Sequence, residues 1–338
     1  MTWEQRYRFW QTARTSLVLW GGCALAAGLL AARAVLWLDR ETDWHLYRFS
    51  PDGARAVLGT LVSSMLTFLV FVLSTTLIVV QLASGQLTPR VIALVLSGRT
   101  VKVALAALTF TYAYTLAALG RVEDRVPDLH VGVAVGLNLL CIVLFFRFVQ
   151  QLATGLRPGS LVLLIGDRAR AVIEQVYPTA FDPARPEEQP RGVLPVAAPR
   201  AVEFAGPSGV VMAVGLEDLV RAAREADAVI ELVPQVGDSV AGGDPLFRVF
   251  GGRGELPAGR LRGCVAVGSE RTLDQDPRFA FRMLVDIANK ALSPAINDPT
   301  TAVLVLDQVD NLLSWLGARR LDEGLARDAE GKLRVVYG

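Results

Sequence analysis

The sequence predicts an α-helical membrane bundle of four transmembrane helices, followed by a cytosolic α+β domain with a small β-barrel-like module. Three observations predict it. The 338-residue chain is 52% hydrophobic with a mean hydropathy of +0.39. Its long apolar segments crowd into the first half. After Leu152 the pattern changes to short apolar runs punctuated by Pro and Gly. Composition also excludes classes. A disordered chain needs low hydrophobicity and high net charge, whereas this one carries +1. The same balance gives no nucleic-acid footprint. Three cysteines are no disulfide framework.

The bundle is assigned to residues 1–158, with spans at 16–38, 55–83, 101–119 and 131–152. Each passes the length test of ~20 mainly apolar residues. No Asp or Glu occurs between Arg55 and Gly120, or between Leu129 and Gly166. The first segment is too long and too late for a signal peptide, and Arg33 stands where small residues would mark cleavage. Orientation follows from basic residues in short loops. The N-terminal arm carries Arg6, Arg8 and Arg14. The second loop carries Arg90, Arg99 and Lys102. Arg157, Arg168 and Arg170 follow the last span. The other loops are acidic or mixed: Asp39, Glu41, Asp43 and Asp52, then Glu123, Asp124 and Asp128. Both termini are therefore expected in the cytosol, with His45 and His130 on the outer side. Arg33 and Arg147 read as side chains that snorkel to the headgroups.

The second segment is overlong. At 1.5 Å per residue, Arg55 to Ala83 runs ~43 Å against a ~30 Å hydrocarbon core. Thr60, Thr67, Ser74, Gln81 and Thr88 recur every seven residues. Such a repeat keeps one stripe nearly in register along a helix. Two readings stay open. The stripe is a packing seam of small polar residues, or it lines a water-filled path in an oligomer. Pro89 disfavours helix at Thr88 and starts a new amphipathic helix over Arg90 to Ser97. Gln81, Ser84, Gln86, Pro89 and Arg90 form a coupling motif where this helix meets the cytosol. Asn138, mid-membrane in the fourth span, is expected to bond a neighbouring helix. Thr111 and Thr115 share a face of the third.

Residues 159–200 read as an amphipathic helix, Ser160 to Val176, and a Pro-rich linker with Pro183, Pro186, Pro190, Pro195 and Pro199. Residues 201–338 form the α+β domain. Strands are expected at Val210–Val214, Val229–Val233, Pro245–Phe250 and Leu261–Val267, with a helix over Leu216–Ala226. The run from Val236 to Leu246 resembles the hairpin of biotinyl/lipoyl-type barrel domains. Those carriers hold their cofactor on a lysine, but no lysine lies between Lys102 and Lys290. A swinging arm is excluded. Two helices close the domain, capped by Asp276 and Asp298, each followed by Pro at the first helical position. Their connector concentrates Ser293, Asn297, Asp298, Thr300 and Thr301. It is either a plain cap and turn or a loop that holds a ligand at a helix N-terminus.

Two motifs are recognisable. Arg278–Ala288 leading into Ala291–Ala302, and Val80–Arg90, resemble a bacterial family of predicted membrane proteins known as domain of unknown function 2254. The resemblance implies a multi-pass membrane protein with a cytosolic C-terminal domain and implies no activity. Residue inventory adds exclusions. Cys23, Cys141, Cys264 and the two histidines cannot form a zinc site. There is no phosphate-loop motif and no nucleophile elbow. No catalytic residue, cofactor or metal is expected. Carboxylate chemistry through Asp286 and Asp298 is a distant alternative.

The expected function is a homo-oligomeric, channel-like membrane protein, with the second span lining the path. Its partners are the bilayer, copies of itself, and ions or a small cytosolic ligand. The rival is a membrane-anchored sensor or scaffold whose cytosolic domain binds a ligand or protein. Residues 1–165 hold 14 basic and 8 acidic residues, and residues 166–338 hold 20 and 25. The near-neutral total thus sums two opposite halves.

Overall fold

The computed structural model describes residues 1–42, 50–86, 99–122, 126, 128–155, 157–184, 194, 198–252, 256–321 and 324–337. The chain divides into two compact units. One is helical, Thr12–Ser160. The other is α/β and joins Met1–Gln11 to Leu161–Gly338.

In the helical unit the expected spans appear as α2 (Leu17–Thr42), α3 (Pro51–Gln86), α4 (Arg99–Leu119) and α5 (Asp128–Gly155), preceded by α1 (Trp3–Thr15). Four of these, α2 to α5, are long and apolar enough to cross a bilayer. Ser16 separates α1 from α2, and its hydroxyl accepts from Leu19 N at 3.2 Å. Helix α4 is the most enclosed of the four spans. It packs on α2, α3 and α5. Gly28 brings α2 within reach of it, since a Cβ there would lie 2.6 Å from the Phe110 carbonyl oxygen. Helix α3 turns Leu58, Met65 and Val72 inward, a seven-residue apolar stripe. Arg33 and Arg147 lie on the outer surface, as snorkelling requires.

In the α/β unit, α6 (Pro158–Val176) fulfils the amphipathic expectation. Gly166 lets it approach the last helix closely, because a Cβ there would strike the Gln308 side chain. The strands are β1 (Arg200–Glu203), β2 (Gly209–Val214), β3 (Ala228–Leu232), β4 (Ser239–Val240), β5 (Pro245–Gly251), β6 (Val265–Gly268), β7 (Leu325–Arg327) and β8 (Leu333–Val336). They make a five-stranded sheet, β1-β5-β3-β8-β7, and a three-stranded sheet, β4-β2-β6. Strand β3 is antiparallel to β5 and parallel to β8. Helix α7 (Leu216–Glu225) buries Leu219, Ala222 and Ala223 in a core with Ile230, Phe247, Leu261 and Val335. The expected Asp-Pro helices are α9 (Pro277–Ala291) and α10 (Pro299–Gly317). Asp276 accepts from Phe279 N at 3.0 Å, and Asp298 from Thr301 N at 3.1 Å.

Several expectations change. Among the described residues the sheets do not close into a barrel. The barrel-like hairpin instead crosses between them: β4 bonds β2, and β5 bonds β3, after left-handed turns at Gly237 (φ +94) and Gly243 (φ +92). The strand expected at Leu261 begins at Val265, because a short helix, α8 (Ala258–Arg262), follows Pro257 and buries Leu261. The N-terminal residues, assigned to the bundle from sequence, pack in the α/β unit. Glu4 N donates to Gly263 O at 2.9 Å, Arg8 Nη2 to Val267 O at 2.8 Å, and Tyr7 Oη to Asp274 at 2.5 Å. Several readings fall outside the described residues: Thr88, Pro89, Arg90 and the helix to Ser97; His45; Asp43, Glu123 and Asp124; and Pro186, Pro190 and Pro195.

Two consequences are testable. A Cβ at Gly237 would lie 2.5 Å from Asp276 Oδ2 and 2.6 Å from Arg271 Nη2, at a φ that disfavours L-residues. Gly237→Ala should therefore destabilise the α/β unit by more than the ~1 kcal/mol of a strained Gly→Ala change, read by chemical denaturation of the full chain. The β7–β8 hairpin is tied by Asp227, whose carboxylate meets Lys332 Nζ at 2.5 Å and Arg334 Nη1 at 3.0 Å. These cations pull its pKa down to about 2. A depressed carboxylate gives stability that is present above its unfolded pKa and lost as pH falls through the folded one. The protection factors of amides across 325–336 should stay high above about pH 4 and fall as pH approaches 2. Asp227→Asn should weaken that dependence, leaving the part carried by Asp328, which also pairs with Arg334.

Candidate functional site

The polar stripe of α3 faces away from its own unit. Thr60, Thr67, Ser74 and Gln81 are all exposed. Thr60 Oγ1 donates to Ala56 O at 2.9 Å, and Thr67 Oγ1 to Ser63 O at 3.0 Å. Back-bonded hydroxyls of this kind are satisfied by their own helix and can face lipid or water. The stripe is therefore no seam within the subunit. Ser84 and Gln86 belong to α3 by backbone, and their side chains, with Thr88, Pro89 and Arg90, lie outside the description.

A cluster of the bundle's buried polar groups lies between α4 and α5. Tyr114 Oη is 2.7 Å from His130 Nδ1 and donates to the His130 carbonyl at 3.4 Å. Asn138 Nδ2 donates to Thr115 Oγ1 at 3.2 Å and to Ala134 O at 2.8 Å. This is the interhelical bond expected of Asn138. Thr111 and Cys141 meet at 3.1 Å. Two buried atoms of the helical unit find no protein partner among the described residues, His130 Nε2 and Asn138 Oδ1. Each such atom costs about 1–3 kcal/mol unless something else satisfies it.

The α9–α10 connector is bonded to itself. Ser293 Oγ donates to Lys290 O at 2.7 Å, Asp298 N to Ala291 O at 2.8 Å, and Thr301 Oγ1 to Asp298 Oδ2 at 2.5 Å. The hydroxyl and backbone N–H of Thr301, which donate to it, hold the Asp298 carboxyl below the usual carboxylate range. Asn297 takes the left-handed conformation, φ +48. Asn297 and Thr300 are exposed. This geometry is that of a cap and turn. Asp286 pairs with Arg282 at 3.3 Å.

A cavity of about 830 Å³ lies within the α/β unit. No sequence signal pointed to it, because its lining comes from seven separate stretches of chain. Helix α1 contributes Trp3 and Arg6, and α7 contributes Asp218 and Arg221. Tyr177, Arg278 and Tyr337 complete its polar and aromatic wall. The Trp3 indole lies on Gly215, where a Cβ would come within 2.6 Å of it, and stacks on Tyr7 at 5.3 Å. Arg6 and Arg221 share Asp218, at 3.2 and 2.9 Å. Gly215 leaves the α7 N-terminus without a side-chain cap. No group of His, Cys, Asp and Glu able to hold a metal occurs among the described residues.

Four bilayer-length apolar helices joined to an α/β unit define a membrane protein. The chain belongs to the family described as predicted membrane protein DUF2254, whose model matches residues 14–338. It is 29% identical over 331 residues to uncharacterised proteins of Mycobacterium bovis and Mycobacterium tuberculosis. The match covers 92% of this chain and 62% of each relative, so the chain spans less than two thirds of their length. No solved structure matches it.

The cap geometry makes a prediction. Asp298→Ala should cost about 1 kcal/mol of stability, the usual worth of an N-cap. Asn297→Gly should be neutral or better, since glycine adopts positive φ freely. Urea unfolding of the full chain reads both.

Proposed function

We propose that the protein is a non-enzymatic membrane sensor whose α/β unit binds a small ligand in the 830 Å³ cavity. One observation carries this reading: α1 forms part of the cavity wall and, after Ser16, leads directly into the first candidate span. A ligand against Trp3 and Arg6 would bear on the segment that enters the membrane. The volume falls in the range of small-molecule sites, ~300–1,000 Å³. Aromatic rings beside arginines suit a small organic molecule with a flat ring and an acidic group. Residues before the first span and after the fourth pack in one unit, so an even number of crossings separates them. With the basic flanks, this supports an inner-membrane protein with both termini cytoplasmic.

A second reading is favoured by the outward stripe of α3. In a homo-oligomer that stripe could line a shared polar path, which it could not do if it packed inside its own subunit. Helix α10 supports self-association. Val303, Leu304, Leu306 and Leu313 are exposed along it, beside Asp307 and Asp310, whose charge disfavours an anionic lipid surface. A second copy is the occupant this reading assigns to that face.

For the sensor reading, aromatic carboxylates and nucleotides screened against the detergent-solubilised full chain should raise Tm. Arg278→Ala, an exposed position, should weaken the responding compound about tenfold, the factor that ~1.4 kcal/mol gives. A panel without any shift argues against it. For the path reading, purified protein in bilayers should conduct ions, with conductance altered by Ser74→Leu and Gln81→Ala. Silent bilayers containing folded oligomer would sink that reading.

A further inference from the structure

The α4–α5 seam is used by neither reading above. His130 is fully buried and Asn138 is 3% exposed. They lie two turns apart on one face of α5, with the small, buried Ala134 between them. Each turns one polar atom toward no protein group among the described residues. Inside a bundle, polar atoms of this kind are satisfied by internal water or mark a path for ions or protons.

The hydrogen bonds identify the chemistry. The Tyr114 hydroxyl donates to the His130 carbonyl. Its oxygen lies 2.7 Å from Nδ1, and which of the two donates depends on the imidazole tautomer. In the tautomer with the proton on Nδ1, Nε2 is the bare, basic nitrogen. Asn138 spends both amide hydrogens on Thr115 and Ala134, so its Oδ1 is a bare acceptor. In that tautomer both open atoms call for a hydrogen donor, which a water molecule can supply. A metal cation is not favoured, because no group of His, Cys, Asp and Glu able to hold one occurs among the described residues.

We propose that the α4–α5 seam is an internal site for water and the proton, with His130 as the group that takes the proton. Uptake forms one N–H bond at Nε2, with the proton delivered from hydronium through the water there. The neutral imidazole becomes imidazolium, and release reverses the step. The charged groups around it are defined. Asp128 lies two residues before His130 on α5, and Asp39 of α2 accepts from Leu129 N at 3.0 Å. Arg121, following α4, acts electrostatically on the imidazole. Arg55 of α3 is held by the Val122 carbonyl at 3.1 Å.

The test uses the full chain in lipid bilayers with 15N-labelled histidine. His45→Gln leaves His130 as the only reporter, since the chain has two histidines. The expected neutral form carries its proton on Nδ1. The ring nitrogens should shift reversibly to the doubly protonated form as the pH is lowered from about 8 into the acid range. The ring N–H should exchange with D2O. Tyr114→Phe keeps the ring and removes the acceptor, so it should move the tautomer toward Nε2–H. A single neutral form throughout, protected from D2O, would mean a dry packing seam and overturn the proposal. A tautomer unmoved by Tyr114→Phe would overturn it too. These readouts involve neither ligand binding nor conductance, so their failure leaves the functional readings above to their own tests.

Discussion

In hydrocarbon, a polar group that finds no partner inside the protein finds none at all. The helical unit is built around that constraint. Thr60, Ser63 and Thr67 return their hydroxyl hydrogens to carbonyls four residues back, so an exposed stripe can exist on α3. Between α4 and α5 the same constraint pairs Tyr114 with His130 and Thr115 with Asn138. Helix α4 can sit at the centre because Ala104, Ala113 and Ala118 keep its buried face small, and because Gly28 lets α2 close on Phe110.

The α/β unit solves a different problem, that of holding short elements together. Its joints are single residues with strict conformational demands. Gly237 turns against the Arg271–Asp276 pair, whose carboxylate also caps α9. Gly215 ends β2 and receives the Trp3 indole, so a strand end, a helix start and the N-terminal segment meet at one Cα. Buried Arg334 joins Asp227 and Asp328 and fixes the final hairpin beside β3.

Legibility followed the range of the interactions. Helices α2 to α5 were readable because span length and apolar content are properties of one segment. The caps at Asp276 and Asp298 were readable because an N-cap bond reaches only three residues. Strand β8 was not assigned. Its residues, Leu333–Val336, are hidden by a neighbouring basic side chain, and its parallel partner β3 lies about a hundred residues earlier. Helix α1 was missed because its aromatic residues pack on a distant part of the chain instead of repeating an apolar face. The closed barrel failed because two glycine turns send adjacent strands of one hairpin to different sheets.

The sequence by itself determined that this is a membrane protein, where its long helices run, and that α3 carries a polar heptad stripe. Those features come from hydropathy and periodicity, which are sums over neighbouring residues. Only the tertiary structure decided which way the stripe faces, since seven-residue spacing is the same for a seam and for an outer surface. It alone gathered the cavity wall from Trp3 to Tyr337, and it alone left His130 Nε2 and Asn138 Oδ1 without partners among the described residues. Burial and partnership depend on what packs opposite a residue, and no local pattern encodes that.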